Sequence, residues 1–384
     1  MTNKDRIKVA VIGTRGFPGV QGGVESHCQE LFPRIVSLGC DVTVFGRKGY
    51  VSDAETNYKG VKIVPVWTPR KKSLEAIIHT FLCVLSVALR RSKYDLVHIH
   101  AIGPSLLVPI ARLMGLKVVA TNHGPDYDRL KWGNVAKRML RLGESAGARY
   151  SPELIAVSRH IQGLIKKKYN RDCTYIPNGI DFPEKLPPDK IISKYGLTSG
   201  QYIFAVGRLV PEKGFHDLIE AFKRLSPDLS GDWRLVIAGD ADHEDEYSRN
   251  LKVMASKDQQ VIMTGFIKGD VLRELYSNAG LFVLPSYHEG LPIVALEAMS
   301  YGLPVLVSAI PANMELVSAE DTFKPGDIAE LAGKLEAFIK APSPCPLPQG
   351  ERVRNERLRR LETEFNWDRI AKQTLEVYKR VVAM

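Results

Sequence analysis

Short apolar runs, each closed by glycine, proline or a polar loop, recur along the whole chain. Ile7–Gly13 (IKVAVIG), Asp41–Phe45, Val61–Val66, Leu96–His100, Lys117–Thr121 and Leu154–Ser158 read as strands in the first half. Tyr202–Val206, Leu235–Gly239, Val261–Gly265, Leu281–Leu284 and Leu303–Val307 do so in the second. Most are apolar throughout rather than alternating, the pattern of parallel strands covered on both faces. Segments of helical spacing lie between them, at about Val24–Leu38, Leu74–Arg91, Pro104–Met114, Trp132–Arg149, Asp270–Ala279 and Ile293–Ser300. Strands alternating with helices predict an α/β protein with parallel sheets. At 384 residues the chain exceeds what one core usually supports, so two domains are expected. The proline-rich PEKLPPDK marks the join, giving residues 1–182, a linker over 183–200, and residues 201–365. Residues 366–384 form an amphipathic helix, and the four prolines near 342–348 predict an exposed insert over Pro342–Arg357.

The candidate chemistry sits where strands hand over to helices, the side on which open α/β sheets bind ligands. The densest stretch is Leu281–Ser308, LFVLPSYHEGLPIVALEAMSYGLPVLVS, a strand, loop, helix and strand. Its loop holds Glu289, Gly290 and Leu291, and Glu297 lies nearly two turns into the helix. After Tyr202–Val206 comes GRLVPEKG, where Arg208 and Lys213 precede a helix starting near Gly214. Two cations beside helix amides make a diphosphate site, since both offset the anion's charge. The first strand opens into TRGFPGVQGGVE, whose glycines, Gly22 and Gly23 among them, let backbone approach a ligand closely. It is not the dinucleotide fingerprint, and no acidic residue closes Asp41–Phe45, which excludes a dehydrogenase. His123 lies just past Lys117–Thr121 on the same side, with Asp126, Asp128 and Arg129 as candidate acceptor contacts. Of His98 and His100, one is expected to pack in the sheet while His100 faces the ligand side.

Charge changes the picture of the first half. Residues 1–182 carry 28 Lys and Arg against 14 Asp and Glu, whereas residues 183–384 carry 25 against 29. Basic clusters at Arg70-Lys71-Lys72, at Lys137, Arg138 and Arg141, and at Lys166-Lys167-Lys168 fit an anionic membrane surface. There each Lys or Arg is worth about 1 kcal/mol. No nucleic-acid module accompanies them, so nucleic acid is not expected as a partner. The run Ala76–Leu89 is too short to span a bilayer, and the amino end lacks the apolar core of a signal peptide. Five scattered cysteines without a Cys-x-x-Cys indicate a reduced, cytoplasmic chain with no structural zinc. The acidic run Asp240–Glu246 lacks fixed ligand spacing, so no metal is expected there.

The Glu-x7-Glu pattern of Glu289 and Glu297, the G-R-x4-K-G of Arg208 and Lys213, and the Gly22-Gly23 pair occur in one order. That order resembles the retaining glycosyltransferases of family 4, which have the GT-B fold of two Rossmann-like domains. The resemblance covers nearly all of the chain except Pro342–Arg357. It implies that Arg208, Lys213 and the Gly22-Gly23 amides hold the donor's diphosphate. Glu289, with the Gly290 and Leu291 amides, and His123 would face the donor sugar, and Glu297 would meet the nucleotide ribose. It also implies that PNGID (Pro177–Asp181) marks the passage between domains and that the last helix crosses back to the first domain. The expected activity is transfer of a hexose or deoxyhexose from a nucleotide-diphosphate sugar to a glycan, lipid-linked at the inner membrane face, with no cofactor or metal. The opening GTRGFPGVQGG is also similar to bacterial polysaccharide rhamnosyltransferases. Alternatives are a phosphorylase or a sugar-nucleotide epimerase of the same fold, or a non-catalytic membrane-associated scaffold.

Overall fold

The computed structural model describes residues 6–52, 54, 56–69, 72–128, 133–225, 231–341 and 351–384. The chain divides into two compact units, Met1–Gly179 with Phe365–Met384, and Ile180–Glu364.

The first unit is built on eight strands: β1 (Lys8–Ile12), β2 (Asp41–Arg47), β3 (Asn57–Tyr58), β4 (Val61–Val66), β5 (Leu96–His100), β6 (Val118–Asn122), β7 (Glu153–Ala156) and β8 (Thr174–Tyr175). Their order is β3-β4-β2-β1-β5-β6-β7-β8, and every pairing is parallel except that of the short edge strand β3 with β4. β1, β5 and β6 are buried almost throughout because helices cover both faces, which is why these strands carry few polar residues. On one face Cys28, Leu31, Phe32 and Ile35 of helix Gly23–Ser37 meet Val9, Val11 and Val44. The carboxyl-terminal helix Trp367–Ala383 shares that core through Trp367, Ile370, Val377 and Tyr378. It therefore returns to the first sheet, as the resemblance implies. Its Tyr378 hydroxyl lies 2.7 Å from His98 Nδ1, which anchors the tail to β5.

The second unit contains β9 (Tyr202–Val206), β10 (Arg234–Ala238), β11 (Val261–Gly265), β12 (Leu281–Leu284), β13 (Val305–Ser308) and β14 (Thr322–Phe323), in the order β11-β10-β9-β12-β13-β14. All pairings are parallel. From β9 the chain builds outward through β10 and β11, then returns to β12 on β9's other edge. The loops after β9 and β12 thus leave the sheet side by side, at the point where strand order reverses. The segment expected to be a linker is tied to helix Asp270–Asn278. The backbone N–H groups of Asp189 and Ile191 each donate to Glu274 Oε2 at 3.2 Å.

Two expectations change. Helix Asn134–Tyr150 starts after Gly133 rather than at Trp132, which lies outside the described residues. Of the expected insert, 342–350 is outside them too, but Glu351–Glu364 is helical. Prolines stop at Pro348, and the following ERVRNERLRRLETE is rich in good helix formers. Arg357 in this helix pairs with buried Asp321 at 2.5 Å. Arg70 and Lys71 of the basic clusters, and Arg129 of the candidate acceptor contacts, also lie outside the described residues.

Candidate active site

The loops after β9 and β12 place Lys213 against Glu289. Lys213 Nζ donates to Glu289 Oε1 at 2.6 Å, and Ser286 Oγ donates to the same oxygen at 2.6 Å. Burial pushes the Glu289 carboxyl upward, but the Lys213 charge and these two hydrogen bonds outweigh it and hold the group below the usual carboxylate value. Glu289 is therefore ionised near neutrality. The loop carrying it is fixed from behind. Ser308 Oγ on β13 donates to the Ser286 carbonyl, and Asn313 Nδ2 donates to the Ser308 carbonyl at 2.9 Å. Tyr287 bonds Glu212 O through its backbone N–H at 2.9 Å and Asp217 Oδ2 through its hydroxyl at 2.5 Å.

Gly214 explains why glycine follows the lysine. Its φ is +66°, and a Cβ there would lie 2.1 Å from the Pro285 carbonyl oxygen. The two loops touch backbone to backbone only because this residue has no side chain. Arg208 lies in the same loop, its Nη1 2.9 Å from Asp242 Oδ2. The acidic run is otherwise engaged by protein. Asp240 and Glu244 pair with Lys252, and Asp245 caps helix Glu246–Ser256. Gly290 and Leu291 follow Glu289, with Leu291 buried, and Glu297 accepts from the Tyr276 hydroxyl at 2.9 Å. Tyr276 stacks on Tyr301 with an interplanar angle of 6°.

In the first unit the glycine loop ends at Gly22, which stands at the helix entry with φ +153°, and Gly23 opens helix Gly23–Ser37. Around it Arg15 and Glu25 pair at 3.1 Å, and Glu25 Oε1 accepts the Arg15 backbone N–H at 3.1 Å. Three histidines converge nearby: His27 from that helix, His100 from the end of β5 and His123 just past β6. One ring nitrogen from each lies within 4.8 Å of those offered by the other two. His100 Nδ1 is 3.0 Å from His123 Nε2, and His27 Nδ1 is 2.9 Å from Asn178 Oδ1. Burial lowers all three: His27 falls to about 4, and His100 and His123 lie well below the ordinary value. His98 and His100 are both buried, so the expectation that His100 alone faces the ligand side gives way to a ring packed behind His123.

Two models of glycosyltransferase sequence match in succession: Glycosyltransferase Family 4 over residues 21–183 and Glycosyl transferases group 1 over residues 189–355. The chain belongs to family 4, the group 1 glycosyl transferases. An uncharacterized glycosyltransferase of Methanocaldococcus jannaschii is 26% identical over 98% of this chain and 99% of its own. The UDP-Gal:alpha-D-GlcNAc-diphosphoundecaprenol alpha-1,3-galactosyltransferase of Escherichia coli is 32% identical over 66% of each chain. The glycogen synthase of Mycobacterium tuberculosis is 28% identical over 97% and 94%. Among solved structures, the sucrose-phosphate synthase of Thermosynechococcus elongatus superposes with a TM-score of 0.81 at 20% identity, covering 98% and 100%. An Anabaena protein (HepE) solved with UDP-glucose gives 0.79 at 20% identity, covering 98% and 100%. The fold is thus GT-B, with two Rossmann-like parallel-sheet units.

As a family 4 glycosyltransferase, the protein is a retaining hexosyltransferase that takes its sugar from a nucleotide sugar. Sequence reasoning picked out Arg208, Lys213 and Glu289; the structure brings Lys213 and Glu289 together, while Arg208, in the same loop as Lys213, pairs with Asp242. It missed Ser286, Asp242 and Tyr276, which bond Glu289, Arg208 and Glu297, and His27, which packs against His123 and is itself bonded to Asn178. Gly22 and Gly23 separate two roles by experiment. A Cβ at Gly22 would lie 2.1 Å from Glu25 Oε2, so Gly22→Ala should cost about 2 kcal/mol or more by strain and by disturbing the Arg15–Glu25 pair. A Cβ at Gly23 meets nothing within 4 Å, so Gly23→Ala should unfold within about 1 kcal/mol of wild type. Urea unfolding of the two variants checks this contrast. Tyr276→Phe removes the hydroxyl holding Glu297 and should raise KM for the donor about fivefold, worth about 1 kcal/mol, with kcat nearly unchanged.

Proposed function

We propose that this glycosyltransferase moves a hexose or deoxyhexose from a nucleotide-diphosphate donor to a growing glycan, carried on lipid at an anionic membrane surface, in cell-surface polysaccharide assembly. The observation that carries the site is the Lys213–Glu289 pair, with Arg208 in the same loop as Lys213, at the reversal of strand order in the second sheet. Expelling a nucleoside diphosphate while positive charge grows at the anomeric carbon calls for fixed cations at the leaving oxygens. Lys213 and Arg208 supply these, with the amides at Gly22 and Gly23 as further donors. Glu289, the Gly290 and Leu291 amides and His123 orient the sugar, and Glu297 binds the ribose. The reading includes no metal requirement, since lysine and arginine neutralise the phosphates.

Two observations support the acceptor side. The Escherichia coli relative's name gives a diphosphoundecaprenol acceptor. In the first unit, helix Asn134–Tyr150 exposes Val135 and Leu142, at 76% and 53%, beside the cations Arg138 and Arg141. An apolar stripe edged with cations suits a membrane interface. No helix among the described residues is long and apolar enough to cross a membrane.

The test begins with thermal stabilisation by a panel of UDP-, GDP-, dTDP- and ADP-sugars, where a ligand at about 100 times its Kd adds about 2.7 kcal/mol. The stabilising donor is then offered with polyprenyl-diphosphate glycans on anionic vesicles, with and without EDTA. Transfer with retained anomeric configuration, unchanged by EDTA, is expected. Loss of turnover in EDTA with recovery on manganese would overturn the metal-free reading. Transfer to soluble glucan alone would overturn the lipid-linked acceptor.

A further inference from the structure

His100 is fully buried, and its Nε2 has no hydrogen-bond partner among the described residues, while its Nδ1 lies 3.0 Å from His123 Nε2. Both rings are neutral, so the nitrogen pair between them shares one proton, and only two arrangements exist. In one, His123 donates from Nε2–H, and His100 must carry its own proton on Nε2, an N–H buried without an acceptor. In the other, His100 donates from Nδ1–H, leaving its Nε2 as a bare lone pair. Orphaned buried N–H groups are rarer than unpaired acceptors, which favours the second arrangement. His123 then carries its proton on Nδ1. That nitrogen has no hydrogen-bond partner among the described residues, and His123 is half-buried where His100 is fully buried.

From this we infer that His123 acts as a neutral hydrogen-bond donor through Nδ1–H, not as a base, and that His100 is the positioning residue that fixes this tautomer. The His27 ring, its centroid 5.0 Å from that of His123 and its plane turned by 81°, and its anchor Asn178 limit rotation of the His123 ring. The group such a donor serves is an electron-rich oxygen, a sugar hydroxyl or a phosphate oxygen. The inference rests on the reading that His123 faces the donor. It adds which atom is offered and which residue sets it.

The experiment is a long-range proton–nitrogen correlation spectrum of the full chain with ring-labelled histidine, His123 being assigned from a His123→Asn variant. A protonated Nδ1 and a bare Nε2 on His123 are expected. In His100→Phe, which keeps a ring but removes the donor, the His123 tautomers should mix. The kcat should fall about five- to tenfold, the worth of one hydrogen bond, with donor KM nearly unchanged. His100→Asn, whose amide reaches about as far as Nδ1, should restore both. If His100→Phe fails to fold, the wild-type spectrum and His100→Asn still decide. His123 found protonated at Nε2, or a tautomer unmoved in His100→Phe, would overturn the inference whatever the activity. The expected spectrum in a protein that transfers no sugar would instead overturn the reading beneath it.

Discussion

Lys213→Ala is expected to lower kcat/KM for sugar transfer by about 30- to 1000-fold, a loss of about 2–4 kcal/mol of transition-state stabilisation. In the proposed role the ammonium would meet charge growing on the leaving diphosphate, so the loss should fall mainly on kcat. It also neutralises Glu289, whose side chain is only 11% exposed. Truncation leaves that carboxylate poorly solvated beside Ser286. Fully buried pairs cost 3–5 kcal/mol to break in this way, and the remaining solvent contact here brings the expected loss of folding stability to about 2–3 kcal/mol. The two effects separate in the double variant Lys213→Met with Glu289→Gln, which removes both charges. It should regain most of the stability measured by urea unfolding and none of the activity. A double variant that recovers activity would show that Lys213 serves only to fold the loop.

Acidification from pH 7 to pH 4.5 is expected to destabilise the first unit steeply. His27 and His79 are held neutral, each lowered from 6.5 to about 4, chiefly by burial. His98 is lowered to about 3 for the same reason. The unfolded chain takes up these protons near pH 6.5 while the folded chain does not, so the unfolded state binds more protons throughout this window. Their contribution is therefore complete above about pH 6.5 and is lost as pH falls toward the folded values. Each such histidine removes about 1.4 kcal/mol per pH unit, or about 2–3 kcal/mol by pH 4.5. Three together approach the 5–15 kcal/mol that holds a typical domain folded. Urea midpoints at pH 7.5, 6 and 5 should fall progressively, and His79→Gln, remote from the proposed site roles, should flatten the slope by about one proton. Midpoints constant from pH 7.5 to 5 would show that these rings are charged in the folded protein.

The sheets were legible because parallel strands buried on both faces are written as unbroken apolar runs, and IKVAVIG or LFVLP leaves little else to read. The loops bearing Arg208, Lys213 and Glu289 were legible for a related reason: glycine and proline mark where each strand ends, and ligand sites cluster there. What the sequence withheld was pairing. Lys213 and Glu289 are 76 positions apart, and only the side-by-side exit of β9 and β12 joins them. The histidine cluster was hidden more deeply, since His27 looks like one polar position on an amphipathic helix and Asn178 like part of a turn. Helix Glu351–Glu364 follows a run of prolines that predicts a loop, although its own residues favour helix.

The proposed grip of Arg208 and Lys213 on the diphosphate is tested most directly by one comparison. Calorimetric Kd values for the nucleoside diphosphate and monophosphate of the preferred donor would be measured on wild type and on Arg208→Ala with Lys213→Met and Glu289→Gln. The wild type should prefer the diphosphate by about 100-fold, as two charge-assisted contacts imply, and the triple variant should bind the two nearly alike. A triple variant that keeps the full diphosphate preference would place the phosphates elsewhere and contradict the account.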